Sequence, residues 1–295
     1  MSTPTLRQRL GDLYHRLYQT ATTGRLNPFL KPVHSSLQAL ELAVERQLDR
    51  LSPTEEPSPH LPELTVLIKT FERPYATNLL LESIRRFYPQ LPIIVVDDSR
   101  NPTRFAAASQ TIFMPYDSGL SAGRMAGLEH IHTPYTLLLD DDYVFYRHTR
   151  INSALSLMVQ HPEIDIMGGT LIYLPFYTTT DYRKAALYKT DVPPVHPLGS
   201  KIGGLTVMDK VANFFIAQTE RLKLVGWDTQ LKLMEHAEFF TRARGILTTV
   251  YNPQMRCLHV RTPFDKVYMK GRNNYLPYVV FLQRRYQKAP HEIDT

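Results

Sequence analysis

The sequence is poor in cysteine, and it lacks both a long apolar run and the glycine-rich motifs of nucleotide binding. Cys257 is the only cysteine among 295 residues, which excludes a disulfide scaffold and a four-cysteine zinc site. No apolar run reaches the roughly 18 residues that a transmembrane helix requires. Neither GxGxxG after the first predicted strand nor GxxxxGK followed by Ser or Thr occurs, which argues against a dinucleotide-dependent dehydrogenase and a P-loop nucleotidase.

The composition is that of a globular protein with a mildly basic charge. Hydrophobic residues make up 43% and charged residues 21%, which is too apolar for a disordered chain. The 34 Lys and Arg exceed the 28 Asp and Glu, and the net charge of +6 is compatible with an anionic partner. The N-terminus is polar and has no secretory apolar region, so we expect a cytoplasmic protein.

The sequence divides into three segments that differ in residue pattern and composition. Leucines recur at helical spacing from Leu6 to Leu17, residues 35–51 read as a second helix, and LNPFLKP interrupts the pattern between them. We predict a helical extension over 1–51, either a hairpin on the main domain or a basic amphipathic element that touches a membrane surface or a partner. Residues 52–63, with four prolines and three acids, predict an extended linker, and 64–295 form the main domain.

From residue 64, strands and helices alternate. LTVLIKT, LPIIVVDDS and YTLLLDDDYVF read as buried strands, and ATNLLLESIRRFYP and SAGRMAGLEHI read as helices between them. This order predicts an α/β fold with a mostly parallel sheet, right-handed crossovers and flanking helices. In such sheets the ligand lies outside the carboxyl ends of the strands. Residues 173–205 read as a lid or acceptor loop.

Acidic side chains follow two of these strands. Asp98 closes the second strand, and Asp140, Asp141 and Asp142 follow the third directly. Side chains alternate along an extended segment, so Asp140 and Asp142 would lie on one side and Asp141 on the other. Two carboxylates on one side form a hard oxygen site of the kind that Mg²⁺ or Mn²⁺ binds. The alternative is a solvated acidic turn.

Arg124 and Trp227 could each contact a ligand or have a purely structural role. Arg124, near a helix start, could pair with a diphosphate or lie on the surface. Gly119 and Gly123 beside it would allow close approach of the backbone to a ligand. Trp227, the only tryptophan, could stack on a sugar or fill the core.

Two further groups could act chemically. Glu235, His236 and Glu238 lie within one helical turn, and one of them could be a general base, or the three could form a solvated or capping face. His259 lies in the late apolar strand MRCLHV, where a histidine is either a satisfied core residue or a metal ligand.

Read in order, VLIKTFERP, VVDDS, GLSAGRMAGL, LLLDDD, GWD and EHAEFF resemble the elements of GT-A nucleotide-sugar glycosyltransferases of the family-2 type. The resemblance is closer to the animal β-1,4-N-acetylgalactosaminyltransferases that make ganglioside and Sd(a)-type glycans, whose catalytic domains carry stretches similar to KTFERP, MPYDSGLSAGR, LDDDYVF and HAEFF. It covers about residues 64–260, and the ordered set is far more specific than three aspartates alone.

This resemblance implies a GT-A fold and an inverting, metal-dependent transfer of N-acetylgalactosamine from a UDP-sugar to a glycan or glycolipid acceptor, with Mn²⁺ or Mg²⁺ as cofactor. The expected donor-binding residues are Thr70, Arg73, Asp98, Arg124, Asp140 and Asp141; the expected metal ligands are Asp142, Asp140 and His259; and the expected acceptor- or sugar-binding residues are Trp227, Asp228, Asn213, Phe214 and Glu235.

The sequence departs from the family pattern in two places. Many family-2 enzymes have Glu-Asp where this chain has Glu235-His236, so the base would be Glu238 or His236, with Glu238 preferred because a carboxylate is the usual base of the class. The animal enzymes have a Golgi membrane anchor where this chain has a helical extension, which favours a bacterial-type enzyme at the cytoplasmic face of a membrane.

Alternative functions stay open at this point. The same chemistry could use UDP-galactose, UDP-glucose or UDP-N-acetylglucosamine in surface polysaccharide synthesis. The aspartates could serve a sugar-phosphate nucleotidyltransferase instead. The basic N-terminus and the aromatic, basic tail 266–288 could belong to a membrane- or polyanion-binding module. We expect no nucleic-acid partner for the domain as a whole.

Overall fold

A computed structural model describes residues 27–53, 55–182 and 186–286 of the chain. The predicted leucine helix over 6–17 therefore lies outside the described residues. Within the described part, no helix combines the length and the apolar character needed to cross a membrane.

The first described helix, α1, spans Asn27–Leu51 and begins earlier than residue 35. The predicted interruption at LNPFLKP is wrong over these residues, although the helix contains Pro32. Pro28 falls in the first turn, where a backbone N–H has no intrahelical partner to lose, and Pro32 sits early enough to remove little of the hydrogen-bond ladder. In the segment that follows, the described residues 52–53 and 55–63 include one short 3₁₀ turn, Leu61–Glu63.

The predicted alternation of strands and helices is confirmed. The elements run β1 (Leu64–Thr70), α2 (Pro74–Phe87), β2 (Ile93–Asp97), β3 (Gln110–Phe113), α3 (Leu120–Glu129) and β4 (Tyr135–Asp140). β1 pairs in parallel with β2 and β4, and β2 pairs in parallel with β3. Because these strands are parallel, their carboxyl ends meet at one edge of the sheet.

The other half of the sheet is mixed. Its strands are β5 (Tyr143–Val144), β6 (Ile166–Leu174), β7 (Thr178–Thr179), β8 (Lys201–Ile202), β9 (Leu205–Val207), β10 (Phe215–Gln218) and β11 (Thr249–Val260). The order is β3-β2-β1-β4-β10-β6-β11-β9-β8. β10 is antiparallel to both β4 and β6, whereas β6 and β11 are parallel. β11 therefore delivers its last residues close to the edge where β4 ends.

Helices cover both faces of this sheet. The remaining helices are α4 (Ile151–Gln160), α5 (Thr219–Val225), α6 (Glu235–Ala243), α7 (Lys266–Arg272) and α8 (Leu276–Tyr286). One apolar cluster joins the sheet to α2 and α4 through residues such as Leu80 and Leu155. A second cluster joins it to α3 and α6 through residues such as Leu128 and Phe239. This is a three-layer α/β fold, as predicted.

The last two helices, α7 and α8, form what we call the C-terminal strap, residues 266–286. Asp265 caps α7 by accepting hydrogen bonds from the backbone N–H groups of Val267 and Tyr268. Leu282 of α8 is buried in a small cluster with Leu231, and Tyr286 stacks on Tyr188 at 4.8 Å between ring centroids. The C-terminal end of the strap is thereby fixed to the domain.

Candidate active site

The carboxyl ends of β1, β2 and β4 bring several predicted residues together. The register pairs Thr70 with Asp97 and Lys69 with Asp140 across neighbouring strands. The strands are buried along almost their whole length, and their polar side chains begin where the apolar runs end. The sequence thus places its acids at this edge because the strand pattern ends there.

Asp141 and Asp142 do not separate as predicted. β4 ends at Asp140, and residues 141 and 142 form a turn, so strict alternation no longer applies. Arg73 donates to Asp142 Oδ2 at 2.9 Å and also pairs with Asp141, which accepts a second bond from Thr70 Oγ1 at 2.7 Å. Burial raises the pKa of Asp141 to about 6, in opposition to Arg73. Thr70 and Arg73 therefore contact the carboxylates.

Asp140 is the most accessible of the three aspartates. Its side chain is 30% exposed, whereas those of Asp141 and Asp142 are 4% and 8% exposed. Asp140 accepts hydrogen bonds from Arg124 Nη2 at 2.8 Å and from the Tyr143 hydroxyl at 3.1 Å. A ligand that approaches this edge from solvent would meet Asp140 first.

Arg124 links this edge to the start of α6. It is fully buried, which excludes the interpretation as a surface arginine. Its Nη1 donates to Glu235 Oε1 at 2.7 Å, while its Nη2 serves Asp140. Glu235 is the first residue of α6, so the arginine holds this helix start beside the acidic turn. Two carboxylates around one buried guanidinium satisfy its charge.

His259 lies beside Asp142, as predicted. Its Nε2 is 3.2 Å from Asp142 Oδ1, and its ring packs against those of Tyr143 and Tyr173. Burial lowers the pKa of His259, against the pull of Asp142. Burial alone would raise the pKa of Asp142, but His259 and Arg73 together hold it well below its usual range.

These two side chains fit a divalent ion. Two neighbouring ligands of an octahedral ion lie about 3 Å apart when each bond is about 2.1 Å, close to the observed separation. An imidazole that faces a carboxylate needs a proton or a metal ion between them. Within the described ranges, no group of three His, Cys, Asp or Glu side chains forms a complete metal cage. A pair of protein ligands, with the remaining oxygens from substrate and water, is a common arrangement for Mg²⁺.

Asp98 is enclosed. It is 1% exposed, pairs with Lys69, and accepts a hydrogen bond from the backbone N–H of Gly119 at 2.8 Å. A Cβ on Gly123 would lie 2.6 Å from Lys69, and one on Gly119 would lie 2.5 Å from Lys232. The close approach that these glycines allow is therefore to lysine side chains, which corrects the expectation of a ligand there.

The two predicted bases lie in different surroundings. Glu238 is fully buried, and both of its oxygens accept bonds from Arg242, at 2.7 and 2.9 Å. His236 is half-buried, and its Nε2 is 2.7 Å from the carbonyl oxygen of Val211. A carbonyl can only accept, so Nε2 carries the proton and Nδ1 is the basic nitrogen. The geometry favours His236 over Glu238 as a proton acceptor.

The predicted sugar-binding wall is largely core. Trp227 is 5% exposed and stacks on Phe239 at 5.1 Å, with the Arg124 guanidinium 5.5 Å from its ring. Phe214 is also fully buried, against Tyr143. A sugar cannot stack on rings already covered by protein, which corrects the expectation for both aromatics.

Asn213 and Asp228 are the partly exposed members of the predicted wall. Asn213 precedes β10. Asp228 accepts a hydrogen bond from Arg285 of the strap at 2.5 Å. Asp228 thus helps to fix α8 in place.

Four residues at the site were missed by sequence reasoning. Lys69 stands out in retrospect, because a lysine inside a fully buried strand needs a carboxylate partner. Tyr143 follows the acidic turn directly. No local sequence pattern indicated that Thr262 and Tyr268 belong to the site. Thr262 accepts a hydrogen bond from Arg73 at 2.9 Å, and the centre of the Tyr268 ring lies 3.5 Å from the Arg73 guanidinium.

Comparison with known families defines the class. The Glycosyl transferase family 2 profile matches residues 65–221, and the chain belongs to this family. This is a family of glycosyltransferases, and the central sheet with its flanking helices is the GT-A fold of solved glycosyltransferase structures.

Two relatives within the curated proteins match much of the chain. The chain is 33% identical over 195 residues to mouse β-1,4 N-acetylgalactosaminyltransferase 1, covering 62% of this chain and 36% of that protein. It is 32% identical over 229 residues to mouse β-1,4 N-acetylgalactosaminyltransferase 2, covering 72% of this chain and 44% of that protein. The chain thus spans less than half the length of these relatives.

Solved structures share the fold. TarS 1–349 from S. aureus in complex with UDP-GlcNAc aligns with a TM-score of 0.53 at 17% identity, covering 68% of this chain and 58% of that one. The mannosyltransferase PcManGT from Pyrobaculum calidifontis in complex with GDP-Man and Mn²⁺ aligns with a TM-score of 0.53 at 14% identity, covering 90% of this chain and 76% of that one.

Proposed function

We propose that this protein transfers N-acetylgalactosamine from UDP-N-acetylgalactosamine to a hydroxyl group of a saccharide acceptor, with inversion at the anomeric carbon and with the help of Mn²⁺ or Mg²⁺. The names of the relatives at about one-third identity support the sugar. The neighbours crystallised with UDP-GlcNAc and with GDP-Man and Mn²⁺ support a nucleotide-sugar donor and a divalent ion.

The metal would be held by Asp142 and His259, with Asp140 at the open side. When bound, a divalent ion neutralises the charge that develops on the diphosphate leaving group. Arg124, buried beside Asp140, would orient that carboxylate at the open side of the site. Arg73 fixes Asp142 from behind and keeps that carboxylate ionised.

The acceptor hydroxyl must lose its proton as it attacks. His236 is the residue best placed for this task, because the Val211 carbonyl fixes its tautomer and α6 begins beside Asp140 through the Glu235–Arg124 contact. Its Nδ1 would take the proton while Nε2 keeps its hydrogen bond. Such general-base help contributes about 10²–10⁴-fold to a rate.

The observation that carries this proposal is the approach of His259 to Asp142 at the end of β4. The test is transfer and slow hydrolysis measured over a panel of UDP-sugars, with Mn²⁺ and with chelator. We expect turnover that needs the ion and is fastest with UDP-N-acetylgalactosamine. Equal turnover with chelator would contradict the metal site.

The same panel decides between donors. Faster turnover with UDP-N-acetylglucosamine, UDP-galactose or UDP-glucose would replace the proposed sugar and leave the chemistry in place. Because the chain belongs to a glycosyltransferase family, we no longer favour nucleotidyl transfer or a binding module as its main function. The cytoplasmic location and the bacterial type stay predictions.

A further inference from the structure

Helix α1 turns an apolar stripe toward solvent. Its exposed apolar residues, with exposed fractions, are Phe29 (73%), Val33 (56%), Leu40 (62%), Val44 (47%), Leu48 (39%) and Leu51 (83%). With the half-buried Leu37, their spacing repeats every 11 residues, which keeps a row nearly straight along a helix. The stripe from residue 29 to 51 is about 33 Å long at 1.5 Å per residue.

The opposite, polar face of α1 holds it on the domain. Gln38 Nε2 donates to the carbonyl oxygens of Leu174 and Arg261 at 3.0 and 3.1 Å. The backbone N–H of Arg147 donates to Asp49 at 2.9 Å, and its guanidinium pairs with Glu45. This helix is thus oriented with its polar side inward, the reverse of an ordinary surface helix.

The charges of α1 follow the same division. Glu45 and the side chain of Asp49 are buried, and Glu41 accepts a bond from the Phe176 backbone N–H at 3.1 Å. Three basic residues, Lys31, Arg46 and Arg50, are exposed on the same helix, outside the apolar stripe. The exposed surface of α1 therefore carries apolar and cationic side chains.

The C-terminal strap has the same character. Residues 266–286 contain five basic residues and no acid. Its exposed apolar residues are Val267 (58%), Tyr275 (46%), Leu276 (65%) and Val280 (44%). Exposed Lys266, Lys270, Arg272 and Arg284 lie among them.

The two elements meet beside the active site. His34 of α1 packs against Phe264 at 5.3 Å between centroids, just before the strap begins. Within the strap, Tyr268 covers Arg73, which binds Asp142. α1 therefore packs directly before the start of the strap, and the strap itself reaches the candidate active site.

We propose that α1 and the strap together form a docking surface for a bilayer that contains anionic lipids. An apolar stripe flanked by Lys and Arg is the composition that inserts at a lipid interface. A second copy is the weaker occupant, because it would bring two cationic faces together. Residues 1–26, with four arginines and one aspartate, carry the same sign. If the proposed function holds, this surface brings the edge to a lipid-linked saccharide as the acceptor.

The test is co-sedimentation of the full-length protein with phosphatidylcholine vesicles, with and without phosphatidylglycerol. We expect binding to the anionic vesicles that weakens at high salt. The triple variant Leu40→Ser, Val44→Ser, Leu48→Ser should lose about tenfold or more of the partitioning. The triple variant Lys31→Gln, Arg46→Gln, Arg50→Gln should lose about fivefold per residue. Leu224→Ser, which is equally exposed on α5 at 64%, should bind as wild type does.

Three results would overturn the proposal. The wild-type protein could stay in the supernatant with anionic vesicles. Leu224→Ser could lose as much binding as the leucine–valine variant. Light scattering could show a wild-type dimer that the same variant dissociates, which would make a second copy the occupant. Because vesicle binding needs no donor sugar, and hydrolysis of UDP-sugar in solution should not change in these variants, failure here is distinct from failure of the proposed function.

Discussion

Two groups of charged residues lie near α6, and they differ in how completely their buried polar atoms are paired. The edge group consists of Arg73, Arg124, Asp140, Asp141, Asp142 and His259. The corner group consists of Asp228, Glu238, Arg242 and Arg285. In the edge group, Arg73 Nε and His259 Nδ1 are buried and make no hydrogen bond with the described residues. In the corner group, Arg242 donates hydrogen bonds to both carboxylate oxygens of Glu238. It also donates to the carbonyl oxygens of Val225 and Gly226.

This difference distinguishes a candidate binding site, the edge group, from a structural ion-pair cluster, the corner group. Buried polar atoms without partners cost free energy, so a protein retains them chiefly where a ligand or a reaction needs them. In the corner group, Glu238 and Arg242 lie four residues apart on one helix and pair with each other, so they need no ligand to be stable. The comparison predicts that changes in the edge group reduce activity and that changes in the corner group reduce stability.

The largest expected effect is that of Asp142→Asn. The variant keeps the shape of the side chain but removes the charge that would hold the ion, so transfer should fall by about a thousandfold. Transfer assays over a Mn²⁺ titration would measure this, with Asp228→Asn of the corner group as the matched control. Near-normal turnover of Asp142→Asn at low Mn²⁺ would remove the distinction between the groups.

The next effect concerns the base. His236→Gln can still donate to the Val211 carbonyl but cannot accept a proton in the same way, so kcat should fall by about 10²–10⁴-fold with little change in the KM of the donor. Glu238→Gln should lose less than about tenfold, because its charge is already bound by Arg242. The reverse order of the two variants would restore Glu238 as the base.

A third change tests the corner group directly. Arg242→Met leaves the buried carboxylate of Glu238 without its main partner and should lower the free energy of unfolding by about 3 kcal/mol. The double variant Glu238→Gln, Arg242→Met should recover part of this loss. Urea unfolding followed by circular dichroism measures both, and a stable Arg242→Met enzyme with little turnover would place the corner group in catalysis.

The smallest expected effect is that of Trp227→Phe. The indole packs between Phe239 and Arg124, so a smaller ring should lower the free energy of unfolding by about 1–2 kcal/mol and leave the KM of the acceptor nearly unchanged. A large rise in that KM, without loss of stability, would mean that the ring contacts sugar after all.

Much of the first half of the fold could be predicted, because its signals are local. Apolar runs such as that of β1 end abruptly in polar residues, and the acids at Asp98 and Asp140 mark where strands stop. The insertion of β10 between β4 and β6 could not be predicted, since strand order depends on contacts far apart in the chain.

Within the site, too, the contacts that sequence reasoning missed are mostly those between residues far apart in the chain. The acids at the strand ends were predicted, and the base stays a prediction. The sequence did carry a sign that Glu238 is paired: Arg242 follows four residues later on the same helix face, where it forms an ion pair. The contact of Tyr268 with Arg73 joins residues almost 200 positions apart in the chain, and no periodicity reports such a contact.

The position of β11 in the sheet affects where the border of the domain should be drawn. His259 and Tyr268 follow residue 221, where the family match stops, yet His259 contacts Asp142 and Tyr268 covers Arg73, which binds the same aspartate. A chain trimmed to the matched residues would keep β1 to β4 and lose this histidine together with the aromatic cover over Arg73. The borders of the matched domain therefore cut through the candidate active site.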